Sequence, residues 1–393
     1  MVKTKSIKQM PRMRFSGFDD AWVMVTVNSL AKVIDCKHRT PPYVDYGVPV
    51  ISPGTIKWGE IDLENPTKRV TEEEYESLMD HCSPDYGDFV FSRNQSIGVA
   101  CFILKKEKFV LGQDTILVQA NKVDPFFLYF RIQTHAVQSL ITRLSGGSTF
   151  SRINLKEIRN LYLKVAPSKK EQKKIASFLS AVDKKIQQLT RKKELLEQYK
   201  KGVMQKIFSQ EIRFTDDNGK DYPDWDKKEL GDVLDYIQPT KFLVKTTDYD
   251  DTYKTPVLTA GKTFVLGYTA EAFGIFKEDL PVIIFDDFTT AFKFVDFHFK
   301  AKSSAMKILK AKYKAVNMSF VYESMKVIRF PLGEHKRYWI SEYQYMKINY
   351  PCEEEQRKIA SFLSSIDQKI ASVQSQLTQT QTFKKGLLQQ LFV

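Results

Sequence analysis

The sequence predicts an α+β protein in which two globular domains alternate with two long helices that pair as an antiparallel coiled coil, giving the chain a pseudo-twofold plan. Three observations predict it. Residues 171–186 read EQKKIASFLSAVDKKI and residues 355–370 read EQRKIASFLSSIDQKI, 184 positions apart. The match continues ungapped from 171–208 onto 355–392, with 17 of 38 positions identical. Apolar residues in both copies recur every 3.5 residues over five heptads, the period of a coiled-coil seam rather than of a helix on a globular core.

Taken along the chain, the first element is an opening motif. RFSGFDDAWVMVTVNSLAKVI starts at Arg14, and a weaker relative, RFTDDNGKDYPDWDKKELGDVLDYI, starts at Arg213. Trp22 aligns with Trp225, and Val27, Leu30 and Ile34 align with Leu230, Val233 and Ile237. Residues 1–168 form the first globular domain. GDFVFSRNQSIGVACFIL has the short β-branched and aromatic runs of strands, whereas EEEYESLMDHC and DPFFLYFRIQTHAVQSLI read as helices. Residues 169–208 form the first long helix, following Pro167, with Glu at its start and Lys near its end to suit the helix dipole. Its seam is Ile175, Val182, Leu189, Leu196 and Val203, with a companion row of Leu179, Ile186, Lys193, Lys200 and Ile207. Residues 209–352 form the second domain, whose strand-like run is DLPVIIFDDFTTAFKFVDFHF. Residues 353–393 form the second helix after Pro351, with rows Ile359, Ile366, Val373, Thr380, Leu387 and Leu363, Ile370, Leu377, Lys384, Leu391. At 1.5 Å per residue each 38-residue repeat makes a rod about 57 Å long. The simplest way to bury two such stripes is against each other. Between opening and helix the two domains share no visible sequence, so one frame holds two different domains, each expected to carry a twisted, partly closed sheet.

Composition narrows the function. At 393 residues with 42% apolar and 13% aromatic content the chain can build more than one core. Cys36, Cys82, Cys101 and Cys352 form no CxxC pair, and the five histidines are dispersed. A reducing cytoplasm with neither disulfides nor a metal site is the expectation. No apolar run reaches the roughly 20 residues of a membrane span, and the basic N-terminus lacks the apolar core of a signal peptide.

The formal charge is +13, which favours a polyanion, nucleic acid first. Residues 1–170 carry +6, 171–208 carry +6, 209–352 carry 0 and 353–393 carry +1. The neutral third segment still holds seven lysines against one aspartate between positions 293 and 314. The basic face of the first helix (Lys184, Lys185, Arg191, Lys192, Lys193) is either a solvated coiled-coil face, a DNA-lining strip or a surface for an acidic subunit. Its counterpart is the uncharged VQSQLTQTQT.

No catalytic set is present. GxxxxGK[ST], GxGxxG and HExxH are absent. NPTK at 65 and NYPC at 349 lack the double proline of an amino-methyltransferase tetrad. PDYGD at 84 and PDWDKK at 223 offer only fragments of a nuclease site, and the latter reads as a helix cap. DNA-contact segments do emerge, as loops in which Lys, Arg, Asn, Ser or Thr mingle with Gly, Pro or aromatics. In the first domain these are CKHRTPPY (Lys37, His38, Arg39, Thr40, Tyr43), SRNQS (Arg93, Asn94, Gln95, Ser96) and SGGSTFSR (Ser148, Thr149, Arg152). In the second they are TAGKTF (Lys262, Thr263), DDFTTAFK (Thr289, Thr290, Lys293) and KAKSSAMK (Lys300, Lys302, Ser303, Ser304). Arg can bind guanine edges bidentately and Asn or Gln adenine edges, whereas Ser, Thr and Lys more often hold phosphates. Asp286 and Asp287 read as turn caps rather than cytosine acceptors.

Two unlike domains alternating with two like helices resemble the specificity subunit of type I restriction-modification systems. The resemblance covers essentially the whole chain and rests on GDFVFSRNQSIG, on GGSTFSRINLKEIRNLYLKVAPSKKEQKKIASFLSAVDKKI and on PCEEEQRKIASFLSSIDQKI. PVLTAGKTFVLGY with PVIIFDDFTTAFKFVDFHFKAKSSAMKIL is similar to one recurring type of second target-recognition domain. The resemblance implies a catalytically silent chain whose two domains each read half of an asymmetric duplex site. It implies that the helix pair fixes the gap and that two methyltransferase subunits, using S-adenosylmethionine, dock to methylate adenine N6. A restriction subunit using ATP and Mg could join, and none of these cofactors would be held by this chain. The reading that competes with it is a coiled-coil adaptor whose domains bind proteins.

Overall fold

The computed structural model describes residues 10–65, 68–146, 151–261, 263–331 and 337–392. The chain divides into two compact units, Met1–Arg191 with Gln374–Val393, and Lys192–Val373. Each unit therefore contains one globular domain, part of its own long helix and part of the other.

The first unit opens with β1 (Val23–Thr26), a one-turn α1 (Val27–Leu30) and β2 (Ala31–Asp35). β3 (Val48–Ile51), β4 (Gly59–Glu60), β5 (Arg69–Val70) and α2 (Glu72–Met79) follow. Then come β6 (Phe89–Ser92), β7 (Ala100–Phe102), β8 (Val110–Leu111) and β9 (Thr115–Ala120). α3 (Pro125–Gln133), α4 (His135–Ser145), α5 (Leu155–Arg159) and β10 (Tyr162–Val165) lead into α6 (Lys169–Phe208). β1 pairs with β10, one five-stranded sheet runs β2-β9-β6-β7-β4, and a three-stranded sheet runs β5-β3-β8.

The large sheet separates two cores, and this explains why its central strands read as unbroken apolar runs. Phe89, Phe91, Ile116 and Val118 face the cluster containing α3, α4 and the long helices. Their neighbours Val90 and Leu117 face the other way, with Val50, Val110 and Leu111 of the small sheet.

The second unit repeats this plan. β11 (Asp226–Glu229), α7 (Leu230–Val233) and β12 (Leu234–Ile237) open it, followed by β13 (Thr255–Leu258), β14 (Val265–Thr269) and β15 (Val282–Asp286). β16 (Phe292–Val295), β17 (Lys300–Ala301), β18 (Met306–Ala311), α8 (Met318–Met325), α9 (Tyr338–Ser341) and β19 (Lys347–Tyr350) lead into α10 (Glu353–Gln390). β11 pairs with β19, the larger sheet is β12-β18-β15-β16, and the smaller is β14-β13-β17. β3 is antiparallel to β5 and parallel to β8, as β13 is to β14 and β17. Ile283, Phe285 and Leu309 face one core; Val282, Ile284 and Ile308 face the other. Apart from β4, which has no counterpart in the four-stranded sheet, two domains without visible sequence kinship thus share strand order and strand direction. One correction concerns PDWDKK, which caps no helix: its DKK opens strand β11, and the turn of α7 is entered at Glu229.

The identities between the two helix copies are explained by contacts made once in each unit. Glu171 is fully buried; its carboxylate accepts from Arg14 Nε (2.7 Å), Arg14 Nη2 (2.9 Å) and Trp22 Nε1 (3.3 Å). Glu355 accepts from Arg213 Nη2 (2.8 Å) and Trp225 Nε1 (2.8 Å) in the second unit. A carboxylate at a helix start also suits the dipole, and the fork geometry adds specificity. Gln172 donates to Ala166 O and accepts from the amide of Asp124, the N-cap of α3. Gln356 donates to Pro351 O and accepts from the amide of Asn317, the N-cap of α8. The repeated Glu-Gln dipeptide therefore ties each long helix to the strand before it and to the domain's main helix.

The seam residues are buried or half-buried throughout. Ile175, Leu179 and Val182 share a core with Leu387 and Leu391, so the start of α6 meets the end of α10. Ile207 shares a core with Ile359, Leu363 and Ile366, so the end of α6 meets the start of α10 and the pairing is antiparallel. These ends are not a bare two-helix contact: Trp22 and Phe127 join the first cluster, Phe320 and Trp339 the second. Two of the three lysines in the seam rows find carboxylates across it, whereas Lys193 lies 3.6 Å from Glu197 of its own helix. Lys384 Nζ lies 2.7 Å from Asp183 and donates to Gln133 Oε1 at 2.9 Å. Lys200 Nζ lies 2.6 Å from Asp367 and 3.2 Å from Glu323. Both members of each pair correspond across the 184-residue offset.

Candidate nucleic-acid interface

Strand direction gathers the polar loops. β2 and β6 both run antiparallel to β9, and β3 runs parallel to β8; with Arg93 N donating to Asp114 O and Gln95 standing beside Gly54, the loops leaving β2, β3, β6 and β8 lie on one side. The loops leaving β12, β13, β15 and β17 do the same in the second domain.

In the first domain these loops are tied to one another. Asp35, at the end of β2, receives Arg93 Nη1 at 2.7 Å, and Arg93 Nε donates to Ile153 O. Arg93 is 4% exposed. This corrects the expectation that it faces the duplex: its charge is used inside the fold to tie three segments together. Asn94 and Arg152 form a β-bridge, and both reach Asp114, Asn94 Nδ2 at 3.3 Å and Arg152 Nη2 at 2.6 Å. Gln95 is exposed, has φ +54° and stands beside Gly54 of the β3 loop, while Ser96 is half-buried. Lys37 pairs with Asp80 (2.6 Å), Arg39 with Glu74 (2.6 Å) and His38 with Asp35 (3.1 Å). Thr40 accepts from Gln113 Nε2, and Lys68 stands 4.5 Å from the exposed Tyr43 ring. Exposed ion pairs of this kind are worth at most about 1 kcal/mol and can be exchanged for a phosphate. Ser148 and Thr149 lie outside the described residues.

In the second domain Lys302 N donates to Leu258 O, and Asp287 N donates to Ala305 O, so the three loops again meet. Thr263 closes the β13–β14 turn through its carbonyl, which accepts from Thr259 Oγ1. Asp286 caps the β15–β16 turn, its Oδ1 accepting from the amides of Phe288 and Thr289. Thr289 is exposed, Thr290 is half-buried with φ +56°, and Lys293 is exposed on β16. Asp287 is buried, accepts from Trp339 N and pairs with Lys307 at 3.4 Å. Ser303 and Ser304 are exposed and Lys302 half-buried. Lys300 is a second correction: it is fully buried, pairs with Glu271 at 2.9 Å and donates to Phe273 O at 2.7 Å. Lys262 lies outside the described residues.

Lys184, Lys185, Arg191 and Lys192 are exposed along α6, and Lys193 is half-buried near Glu197. Asp35, Cys36 and His38 place one potential ligand atom each within 4.8 Å. Asp35 is already committed to Arg93 and His38, and burial pushes the Cys36 thiol up, so the group reads as a hydrogen-bonded loop start. Sequence reasoning missed Asp35, Gln113 and Asp114, although the turn LGQDT between two apolar runs is a signal that marks the latter two. It also missed the loops leaving β3 and β12.

A family model described as type I restriction modification DNA specificity domain matches twice, at residues 19–198 and 222–382. A stretch of 141 residues is 52% identical to the specificity subunit of the type I restriction enzyme EcoR124I/EcoR124II of Escherichia coli, covering 35% of each chain. A stretch of 119 residues is 32% identical to the MjaIX specificity subunit of Methanocaldococcus jannaschii, covering 28% of this chain and 27% of that one. The matched stretches thus span between about a quarter and a third of these relatives' length. The S subunit of a type I restriction-modification system from M. genitalium has the same fold, with TM-score 0.66, 16% identity, and coverage of 98% and 99% of the two chains. With two matched domains accounting for most of its length, the chain belongs to the type I restriction modification DNA specificity family.

Proposed function

We propose that this chain is the sequence-reading subunit of a type I restriction-modification complex, acting in the cytoplasm and itself without catalytic activity. Each globular domain is a target-recognition domain for one half of an asymmetric, bipartite duplex site. The paired helices set the gap and dock two methyltransferase subunits that methylate adenine N6, and restriction subunits join that assembly. S-adenosylmethionine belongs to the methyltransferase subunits, ATP and Mg to the restriction subunit; neither group is assigned to residues of this chain. The observation that carries the reading is the pair of loop corners. Two domains with the same strand order present, on the same strand edge, loops of different chemistry. A common frame with unlike loops is what two different half-sites require.

Contacts then sort by residue type. We assign Arg39, Arg152, His38, Asn94 and Gln95 to base edges, and Lys37, Thr40, Ser96, Thr263, Thr289, Thr290, Lys293, Lys302, Ser303 and Ser304 to phosphates or short polar contacts. Arg93 and Lys300 are left out because both are buried and ion-paired. A helix of 40 residues is about 60 Å long, enough to hold two readers a turn or more of duplex apart.

The test is selection of a randomised duplex pool by the full chain together with its methyltransferase partner, followed by sequencing. The expected result is two different short motifs at fixed separation, with affinity falling steeply as salt rises. Recovery of duplexes without any shared motif sinks the reading.

A further inference from the structure

Resting on that reading, we infer that the second domain reads its half-site chiefly through a loop that its sequence does not advertise, residues 238–246, with Gln238, Thr240 and Lys241 as the contacting side chains. The first domain supplies the argument. There the loop leaving β2 carries Lys37, His38, Arg39, Thr40 and Tyr43. β12 occupies the same place in its sheet as β2, each at the edge beside the strand that pairs with the sheet's next member, β9 or β18. The loop leaving β12 reads QPTKFLVKT.

This loop lies beside the corner already described. Leu243 bridges to Ala301, and Val244 N donates to Ala301 O, which puts the loop alongside the strand that leads into Lys302, Ser303 and Ser304. Gln238, Thr240 and Lys241 are exposed, and among the described residues none of their side chains has a hydrogen-bond or ion-pair partner. That differs from the first domain, where Arg39 leans on Glu74 of α2 and Lys37 on Asp80 at its C-cap. Pro239 is buried and fixes the backbone entering the turn. A side chain on Gly274 would come within 2.6 Å of Lys241 O, so the neighbouring loop packs against the turn and holds its backbone.

The buried Lys300 has a role in the same device. Its Nζ pairs with Glu271, whose Oε1 accepts from the amides of Lys245 and Thr246 at 2.9 Å each. Burial works against the Glu271 charge, but Lys300 and the two amides outweigh it and hold the carboxyl at about 2. Lys300 is therefore a positioning residue that clamps the far end of the loop, as Arg93 and Asp35 clamp the start of the loop in the first domain. A loop fixed at both ends with free polar tips can distinguish bases, because little ordering remains to be done on binding.

The experiment is the duplex selection above, run on the full chain with its methyltransferase partner, for wild type, Gln238→Ala, Lys241→Ala and, to mark the other half-site, Arg152→Ala. Gln238→Ala is expected to relax preference by roughly 5- to 100-fold at one or two adjacent positions, only in the half that Arg152→Ala leaves intact. Lys241→Ala is expected to weaken all duplexes alike and to lower the salt slope by about one. Unchanged half-sites with Gln238→Ala, together with unchanged affinity with Lys241→Ala, overturn the inference and leave the proposed function standing. A wild-type chain without any sequence preference fails the proposed function first.

Discussion

Replacing Lys384 by Met tests whether the repeated ion pairs hold the helices in register. Met keeps the aliphatic stem and removes the charge. Asp183, 22% exposed at its side chain, then loses a cation at 2.7 Å, and Gln133 loses a donor at 2.9 Å. Stripping one partner from a buried pair costs about 3–5 kcal/mol; discounting for the remaining exposure of Asp183 leaves about 2–3 kcal/mol. The corresponding Lys200→Met should cost less, about 1–2 kcal/mol, although Lys200 faces two carboxylates. Asp367 is half exposed and can be hydrated, and Glu323 keeps Lys326 at 2.6 Å. Acidity supplies the control. Burial raises the Asp183 pKa while Lys384 lowers it, so removing Lys384 raises it further. An acid whose folded pKa lies above its unfolded value burdens the fold when ionised, and the burden lifts as pH falls through the folded pKa. The Lys384→Met deficit should therefore be largest where Asp183 is ionised and shrink as pH is lowered through its raised pKa. Asp183→Asn with Lys384→Met should recover at least half. Urea unfolding by circular dichroism, with hydrogen exchange on peptides from 176–190 and 377–390, reads all of this. A loss below about 0.5 kcal/mol, the level of an exposed pair, or one that does not change with pH, refutes the reasoning.

Three further outcomes follow from the same contacts. Gly202 and Gly386 lie in the last two turns of α6 and α10 with nothing within 4 Å of an added Cβ, so Gly→Ala at either should stabilise the chain by about 0.5–1 kcal/mol, read as a raised urea midpoint. Glu171→Ala, which strands Arg14 and the Trp22 indole N–H in a site with almost no exposure, should cost about 3 kcal/mol, with Glu355→Ala somewhat less because Arg213 is more exposed. A seven-residue insertion after Lys192 and after Gln376 keeps the heptad phase and lengthens each rod by about 10.5 Å. The separation of the two motifs in the selected duplexes should then grow by about three base pairs with both motifs unchanged; altered motifs at the old separation would contradict the spacer role.

The sequence by itself determined whatever repeats at short range. The heptad rows, the prolines before each helix, the offset of 184 residues and the aligned Trp22 and Trp225 all follow from local periodicity, which a helix expresses without help from distant residues. The polar loops were also legible as segments, because turn chemistry is local. Tertiary structure decided what those residues do. Arg93 and Lys300 carry the composition of DNA contacts, yet strand pairing brings them to Asp35 and Glu271, 58 and 29 positions away, and burial commits them. Lys200 and Lys384 looked like flaws in the seam until antiparallel pairing set each against an aspartate. The kinship of the two domains was invisible for the same reason. A sheet's order is fixed by which strands meet, whereas its loops are free to differ, and two domains that read different sequences must differ there.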